Sequence, residues 1–154
     1  MKRVLFVCTG NLCRSPLAQG LLEAALAARG LANDVQVDSA GTHAVVGEPP
    51  APFAIEVARD YGSDISGQRA RQLQPEDFER FDRIVALDLG HLDQLRFLRP
   101  EDARAKVTLL LAGMAAAGDA EVPDPYGRER DEFEFAARLI DVGVKRLLEE
   151  LADS

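Results

Sequence analysis

Apolar and polar positions along the chain fall into two rhythms, one of period two and one near 3.6. Residues 4–7 form an unbroken apolar, β-favouring run, the mark of a buried strand. Leu17, Leu21, Leu22, Ala25 and Leu26 then share one face of a helix predicted over 15–29, with Gly30 as its stop. Residues 35–38 alternate as a second strand and end at Ser39-Ala-Gly-Thr42. The segment 43–52 holds three prolines and a glycine, and reads as a loop. Ala54, Val57, Ala58 and Tyr61 have helical spacing within 53–61, stopped by Gly62, and 63–74 is polar and irregular. A short helix follows over 75–80, a third strand over 81–87, a helix over 89–98 and a fourth strand over 106–111. After a loop over 112–123, a last helix over 131–151 carries the stripe Phe133, Ala137, Ile140, Val144, Leu147, Leu148 and Leu151.

Strands alternating with helices predict an α/β domain: one parallel sheet with helices on both faces. Sites in such sheets gather at the carboxyl ends of the strands. The loops to inspect therefore hold Cys8 to Arg14, Ser39 to Gly47, Asp88, and Asp124 to Tyr126.

The first of these loops carries the clearest chemistry. Cys8 ends the first strand, Gly10 and Asn11 tolerate left-handed backbone, and Ser15-Pro16 reads as a helix start with Ser15 at the N-cap. Strand, tight loop and helix N-terminus together make an anion site. A thiol at a helix N-terminus beside a guanidinium is favoured as thiolate, and Arg14 offers planar paired donors for two phosphoryl oxygens. That combination points to phosphoryl transfer onto sulfur. A departing ester oxygen needs a proton that a thiolate cannot give. Asp124, stiffened between Pro123 and Pro125, is the best candidate to supply it.

Composition narrows the picture. A chain of 154 residues with 47% hydrophobic and 29% charged content suits one soluble domain over 1–154. A net charge of −8 and the lack of a basic stripe argue against a nucleic-acid partner. Two cysteines, Cys8 and Cys13, are too few for a secreted disulfide scaffold. Met1-Lys-Arg before 4–7 is too short for a signal peptide, and the apolar-rich tract 107–118 is too short to span a bilayer. A cytoplasmic protein with no membrane association is expected.

Four segments in order carry a resemblance that spans essentially the whole chain: Cys8-Thr-Gly-Asn-Leu-Cys-Arg-Ser-Pro16, Val37-Asp-Ser-Ala-Gly-Thr42, Phe81-Asp-Arg-Ile-Val-Ala-Leu-Asp88 and Asp124-Pro-Tyr126. The chain resembles the low-molecular-weight protein tyrosine phosphatase family. The resemblance implies a four-stranded sheet of order 2-1-3-4 and a phosphate-binding loop after strand one. It also implies a phosphoprotein or phosphopeptide substrate, inhibition by phosphate-like oxyanions, and no metal or other cofactor. Cys8 is then the nucleophile that becomes phosphocysteine. Arg14 and the backbone of Thr9, Gly10, Asn11, Leu12, Cys13 and Arg14 bind the phosphate, with Ser15 beside them, and Asp124 is acid and then base. Ser15 supports the sulfur, while Asn11 with Ser39 behind it supports the loop. Cys13 is implied as a reversible disulfide partner for Cys8.

The chain departs from the tyrosine-directed members at the pocket walls, expected here from Thr9, His43, Val45 and Tyr126, with no Trp present. Thr9 stands where tyrosine-directed members carry an aliphatic residue, and Gly127 follows Tyr126. Relatives acting on phosphoarginine carry Thr and Gly at these places, so phosphoarginine is the alternative to phosphotyrosine. An arsenate reductase-like relay lacks further cysteines beyond Cys13. A silent phosphate-binding module or redox sensor would not need Asp124. Zinc held by Cys8, Cys13, His43 and His91 has poor ligand spacing, and His91 is expected on a helix surface.

Overall fold

A computed structural model describes residues 1–114, 118 and 120–153. Four strands, β1 (Lys2–Cys8), β2 (Val35–Gly41), β3 (Arg83–Ala86) and β4 (Lys106–Leu109), pair in parallel in the order β2-β1-β3-β4. The helices are α1 (Arg14–Ala28), α2 (Pro52–Asp60), α3 (Asp77–Arg80), α4 (Leu89–Leu98) and α5 (Arg130–Asp153).

Period-two alternation in β1 builds both layers of the core. Val4 and Phe6 face a cluster with α1, α2 and α5, while Leu5 and Val7 face a second cluster with α3 and α4. Burying each of Phe6 and Leu5 fully contributes about 1.5–3 kcal/mol. On the first face Phe53 of α2 meets Phe133 of α5 edge-on at 5.6 Å. Below the sheet, opposite its carboxyl edge, Lys2 Nζ donates to the carbonyl of Leu151.

The parallel sheet, its order and helices on both faces agree with the sequence reading. Boundaries moved where tertiary bonds take over. β2 runs on from residue 38 to Gly41 because its register with β1 continues to Cys8 opposite Gly41. β4 stops at Leu109 instead of 111, and α5 opens at Arg130. Residues 75 and 76 stay outside α3. α1 starts at Arg14 with Cys13 at the N-cap, so Ser15 is not a cap; its hydroxyl is engaged by Cys8 and Asn11. Of the loop expected over 112–123, positions 115–117 and 119 lie outside the described residues.

β1 is followed in the sheet by β2 on one side and β3 on the other. Chain direction across the sheet therefore switches at β1, and the crevice beyond its carboxyl end is where this architecture places ligands.

Candidate active site

At the switch point the chain from Cys8 to Arg14 wraps into a tight loop. Asn11 takes φ 60°, the one left-handed non-glycine among the described residues. A hydrogen-bond relay holds it there. The Arg71 backbone N–H donates to Asn11 Oδ1 at 2.9 Å, which fixes the amide's orientation. Asn11 Nδ2 then donates to Ser15 Oγ at 2.8 Å and to Ser39 Oγ at 2.9 Å. Ser15 Oγ in turn lies 2.9 Å from Cys8 Sγ, so the relay sets beside the sulfur a hydroxyl that can donate to it.

The loop's carbonyls turn outward. Cys8, Thr9 and Gly10 accept from the N–H groups of Thr42, His43 and Val45 at 2.9, 2.9 and 3.1 Å, and Leu12 accepts from Ala51 at 2.9 Å. These bonds lace the segment after β2 onto the loop and carry His43 and Val45 to its rim. Gly41 makes the approach possible, since a Cβ there would run into the Thr9 carbonyl oxygen. The N–H groups of Gly10, Asn11, Leu12 and Cys13 donate to no protein acceptor among the described residues. They stand at the N-terminus of α1, whose first turn holds no acid to offset its dipole. Unsatisfied amides at a positive helix end form a cradle for an oxyanion.

Arg14 is only 4% exposed. Its Nη1 donates to Asp88 Oδ2 at 2.8 Å and to the Val122 carbonyl at 3.0 Å, while Nη2 faces Asp124 Oδ2 at 3.7 Å. Asp124 is held in turn by the Tyr126 N–H, which donates to its Oδ1 at 3.1 Å. Burial works to raise the Asp88 carboxyl, but the hydrogen bonds from His91 and Arg14 outweigh it and hold the group well below the usual carboxylate range. Burial, joined by the neighbouring Cys8 and Asp124, pushes the Cys13 thiol up to about 12. Both cysteines are free and buried.

Cys8, Thr9, Gly10, Leu12, Cys13 and Arg14 from the first loop line one cleft of about 240 Å³ with His43, Val45, Asp124 and Tyr126. Asn11, Ser15 and Ser39 lie buried close behind it. Two features escaped the sequence reading. His91 is not a helix-surface residue: it is 4% exposed, with Nε2 2.7 Å from Thr9 Oγ1. Helical periodicity gave no sign of this, because the partner is distant in sequence. The second is the 63–74 segment, whose Arg71 anchors Asn11 and pairs with Asp38 and the fully buried Asp77. Among the described residues no group of three or more His, Cys, Asp or Glu side chains is placed to hold a metal ion. No described helix is long and apolar enough to cross a membrane.

Fold and cleft place the chain among α/β proteins whose site is a thiol-bearing loop at the carboxyl edge of a parallel sheet. The family model described as low molecular weight phosphotyrosine protein phosphatase matches residues 3–154. A low molecular weight protein-tyrosine-phosphatase of Streptomyces coelicolor is 44% identical over 152 residues, covering 95% of this chain and 91% of its own. The crystal structure of YfkJ from Bacillus subtilis is similar with a TM-score of 0.89 at 34% identity, covering 99% of this chain and 96% of that one. Wzb of Vibrio vulnificus, in complex with benzylphosphonate, gives 0.83 at 30% identity, covering 97% and 98%. The chain belongs to the low molecular weight phosphotyrosine protein phosphatase family, and with it to the cysteine-dependent protein-tyrosine phosphatases.

Proposed function

We propose that the protein hydrolyses phosphotyrosine in proteins or peptides through a phosphocysteine intermediate. One observation carries this reading: Cys8, Arg14 and Asp124, from loops at opposite ends of the chain, meet in a single cleft over a set of free amides. Cys8 Sγ, as thiolate, attacks phosphorus; the S–P bond forms as the bond to the phenolic oxygen breaks, and Asp124 gives that oxygen its proton. Asp124, now carboxylate, takes a proton from water as its oxygen attacks phosphorus and the S–P bond breaks. Arg14 and the loop amides from Thr9 to Arg14 hold the three equatorial oxygens, which is electrostatic stabilisation of the transition state. Ser15 eases the return of the sulfur as leaving group. Thr9, His43, Val45 and Tyr126 wall the substrate side chain. Phosphate-like oxyanions inhibit by filling the cradle. Cys13 serves as the disulfide partner that shields an oxidised Cys8. Two free thiols suit a cytoplasmic location.

The Thr9 hydroxyl in the cleft favours a second reading, phosphoarginine, because a polar group there suits a guanidinium better than a ring.

The test is turnover of p-nitrophenyl phosphate, followed by phosphotyrosine and phosphoarginine peptides side by side. Cys8→Ser is expected to abolish turnover while phosphate still binds. Asp124→Ala is expected to lose about 10²-fold. Wild-type turnover no faster than buffer would refute the reading.

A further inference from the structure

Asp124 stands on a short arm of chain, and the root of that arm is tied to the start of α4. Val122 is fully buried and bonded on both sides. Its N–H donates to the Leu87 carbonyl at 3.0 Å, and its carbonyl accepts from Arg14 Nη1 at 3.0 Å. One residue earlier, Glu121 Oε1 accepts from the Leu89 backbone N–H at 2.8 Å. Leu89 is the first residue of α4, so its amide has no partner within the helix. A carboxylate there also meets the positive end of the helix. Asp88, the N-cap, takes the His91 N–H with Oδ1 at 2.8 Å and leaves the Leu89 N–H to Glu121.

Two bonds thus join residues 121–122 to residues 87–89. Asp88, in the middle of the second set, is also the carboxylate that holds Arg14. The anchor of the phosphate clamp and the root of the acid therefore share one turn of chain. Only Pro123 separates Val122 from Asp124, and its ring fixes φ, while Pro125 biases Asp124 to extended backbone. A tilt at the root is passed to the carboxyl with little slack. The carboxyl itself is half exposed and lightly held, by the Tyr126 N–H at 3.1 Å and Arg14 Nη2 at 3.7 Å. Of the contacts at the root, those of Val122 are made by backbone groups and by Arg14. Glu121 supplies one from a side chain outside the cleft lining.

We propose that Glu121 is a positioning residue for proton delivery to the leaving group: by accepting from the first amide of α4 it sets where Asp124 stands in the cleft. Its effect falls on the departing oxygen and not on phosphate binding. The proposal rests on the reading of Asp124 as the acid.

The experiment compares kcat/KM for phenyl phosphate, a poor leaving group, with that for p-nitrophenyl phosphate, and follows inhibition by inorganic phosphate. Glu121→Ala is expected to lose about tenfold with phenyl phosphate and about twofold with p-nitrophenyl phosphate, a part of what a general acid supplies. Phosphate inhibition should stay at the wild-type value. Glu121→Gln keeps an oxygen for the Leu89 N–H and should recover most of the loss. Leu89→Pro removes the donor instead. Proline is tolerated at a first helical position, and Asp88 before it is already extended, with φ −144° and ψ 172°. That variant should reproduce the selective loss, and joined to Glu121→Ala it should add nothing. In an Asp124→Ala background, Glu121→Ala should cost nothing more. The proposal is overturned by equal losses on both substrates, by weakened phosphate inhibition, by a Gln variant as impaired as Ala, or by a Leu89→Pro variant with the wild-type ratio of the two substrates. If Asp124→Ala itself leaves that ratio unchanged, the acid assignment falls and the proposal with it. The other outcomes sink the role of Glu121 alone.

Discussion

Arg14 is a charge taken out of water and re-satisfied by Asp88, the Val122 carbonyl and the more distant Asp124. Its planar fork is fixed by these partners, so a point ammonium cannot replace it. Arg14→Lys is expected to lower kcat/KM by about 10²–10³-fold, read with p-nitrophenyl phosphate. Cys13 and Cys8 stand in one cleft yet differ in chemistry. A thiol pushed up to about 12 stays protonated at neutral pH, so iodoacetate at pH 7–8 should label Cys8 and leave Cys13 intact. Peptide mapping by mass spectrometry checks this, and inorganic phosphate should protect Cys8. In the proposed mechanism Asp124 protonates the departing oxygen, so its loss should matter more for poor leaving groups. The drop on Asp124→Ala is expected to be larger with phenyl phosphate than with p-nitrophenyl phosphate.

At the scale of elements, the close approaches are made by glycine. Gly143 of α5 lies against the turn after β4: an added Cβ would stand 2.5 Å from Leu110 Cγ and 2.9 Å from its Cδ1. Gly143→Ala gains about 1 kcal/mol of helix propensity but overpacks at a cost of about 1–3 kcal/mol, so a lowered Tm is expected with activity largely retained. How much was readable beforehand follows from how local each signal is. β1, α4 and the stripe of α5 were legible because their patterns lie in contiguous residues, and so was the Cys8 loop with Asp124. The bounds of α1 and β2 were not. Ser15 resembles an N-cap by type, yet its hydroxyl is claimed by Cys8 and Asn11, and β2 is lengthened by a neighbour's register. His91 was misread for the same reason, since a histidine among helical residues shows nothing of a threonine 82 positions earlier. Arg71 sits in a segment without periodicity, and its value lies in Asn11, Asp38 and Asp77.

For the whole molecule, two groups bound a pH window of stability. The Asp88 carboxyl is held below its ordinary value, so its stabilisation is present above about pH 4 and is lost as pH falls through the folded value. Cys13 is raised, so its contribution is complete below about pH 9 and is lost as pH climbs toward 12. Urea midpoints for wild type and Asp88→Asn should therefore differ most near neutrality and converge in acid. The net charge of −8 acts on encounter. A dianionic substrate meets repulsion from the molecule at large and attraction only close to Arg14 and the loop. Raising salt from about 10 to 150 mM is thus expected to increase kcat/KM modestly, as screening removes the longer-range term first.

The contact between Lys2 and the Leu151 carbonyl has an engineering corollary. Lys2 and Leu151 meet on the side of the sheet away from the cleft, so a fluorescent fusion, an affinity tag or a surface tether joined beside either residue should leave the cleft clear. A short glycine-serine bridge could also join them, moving the break in the chain into the irregular 63–74 segment. Because Arg71 braces Asn11 from within that stretch, a cut on its near side, at 66–68, should be tolerated, whereas one at 70–72 should loosen the cradle.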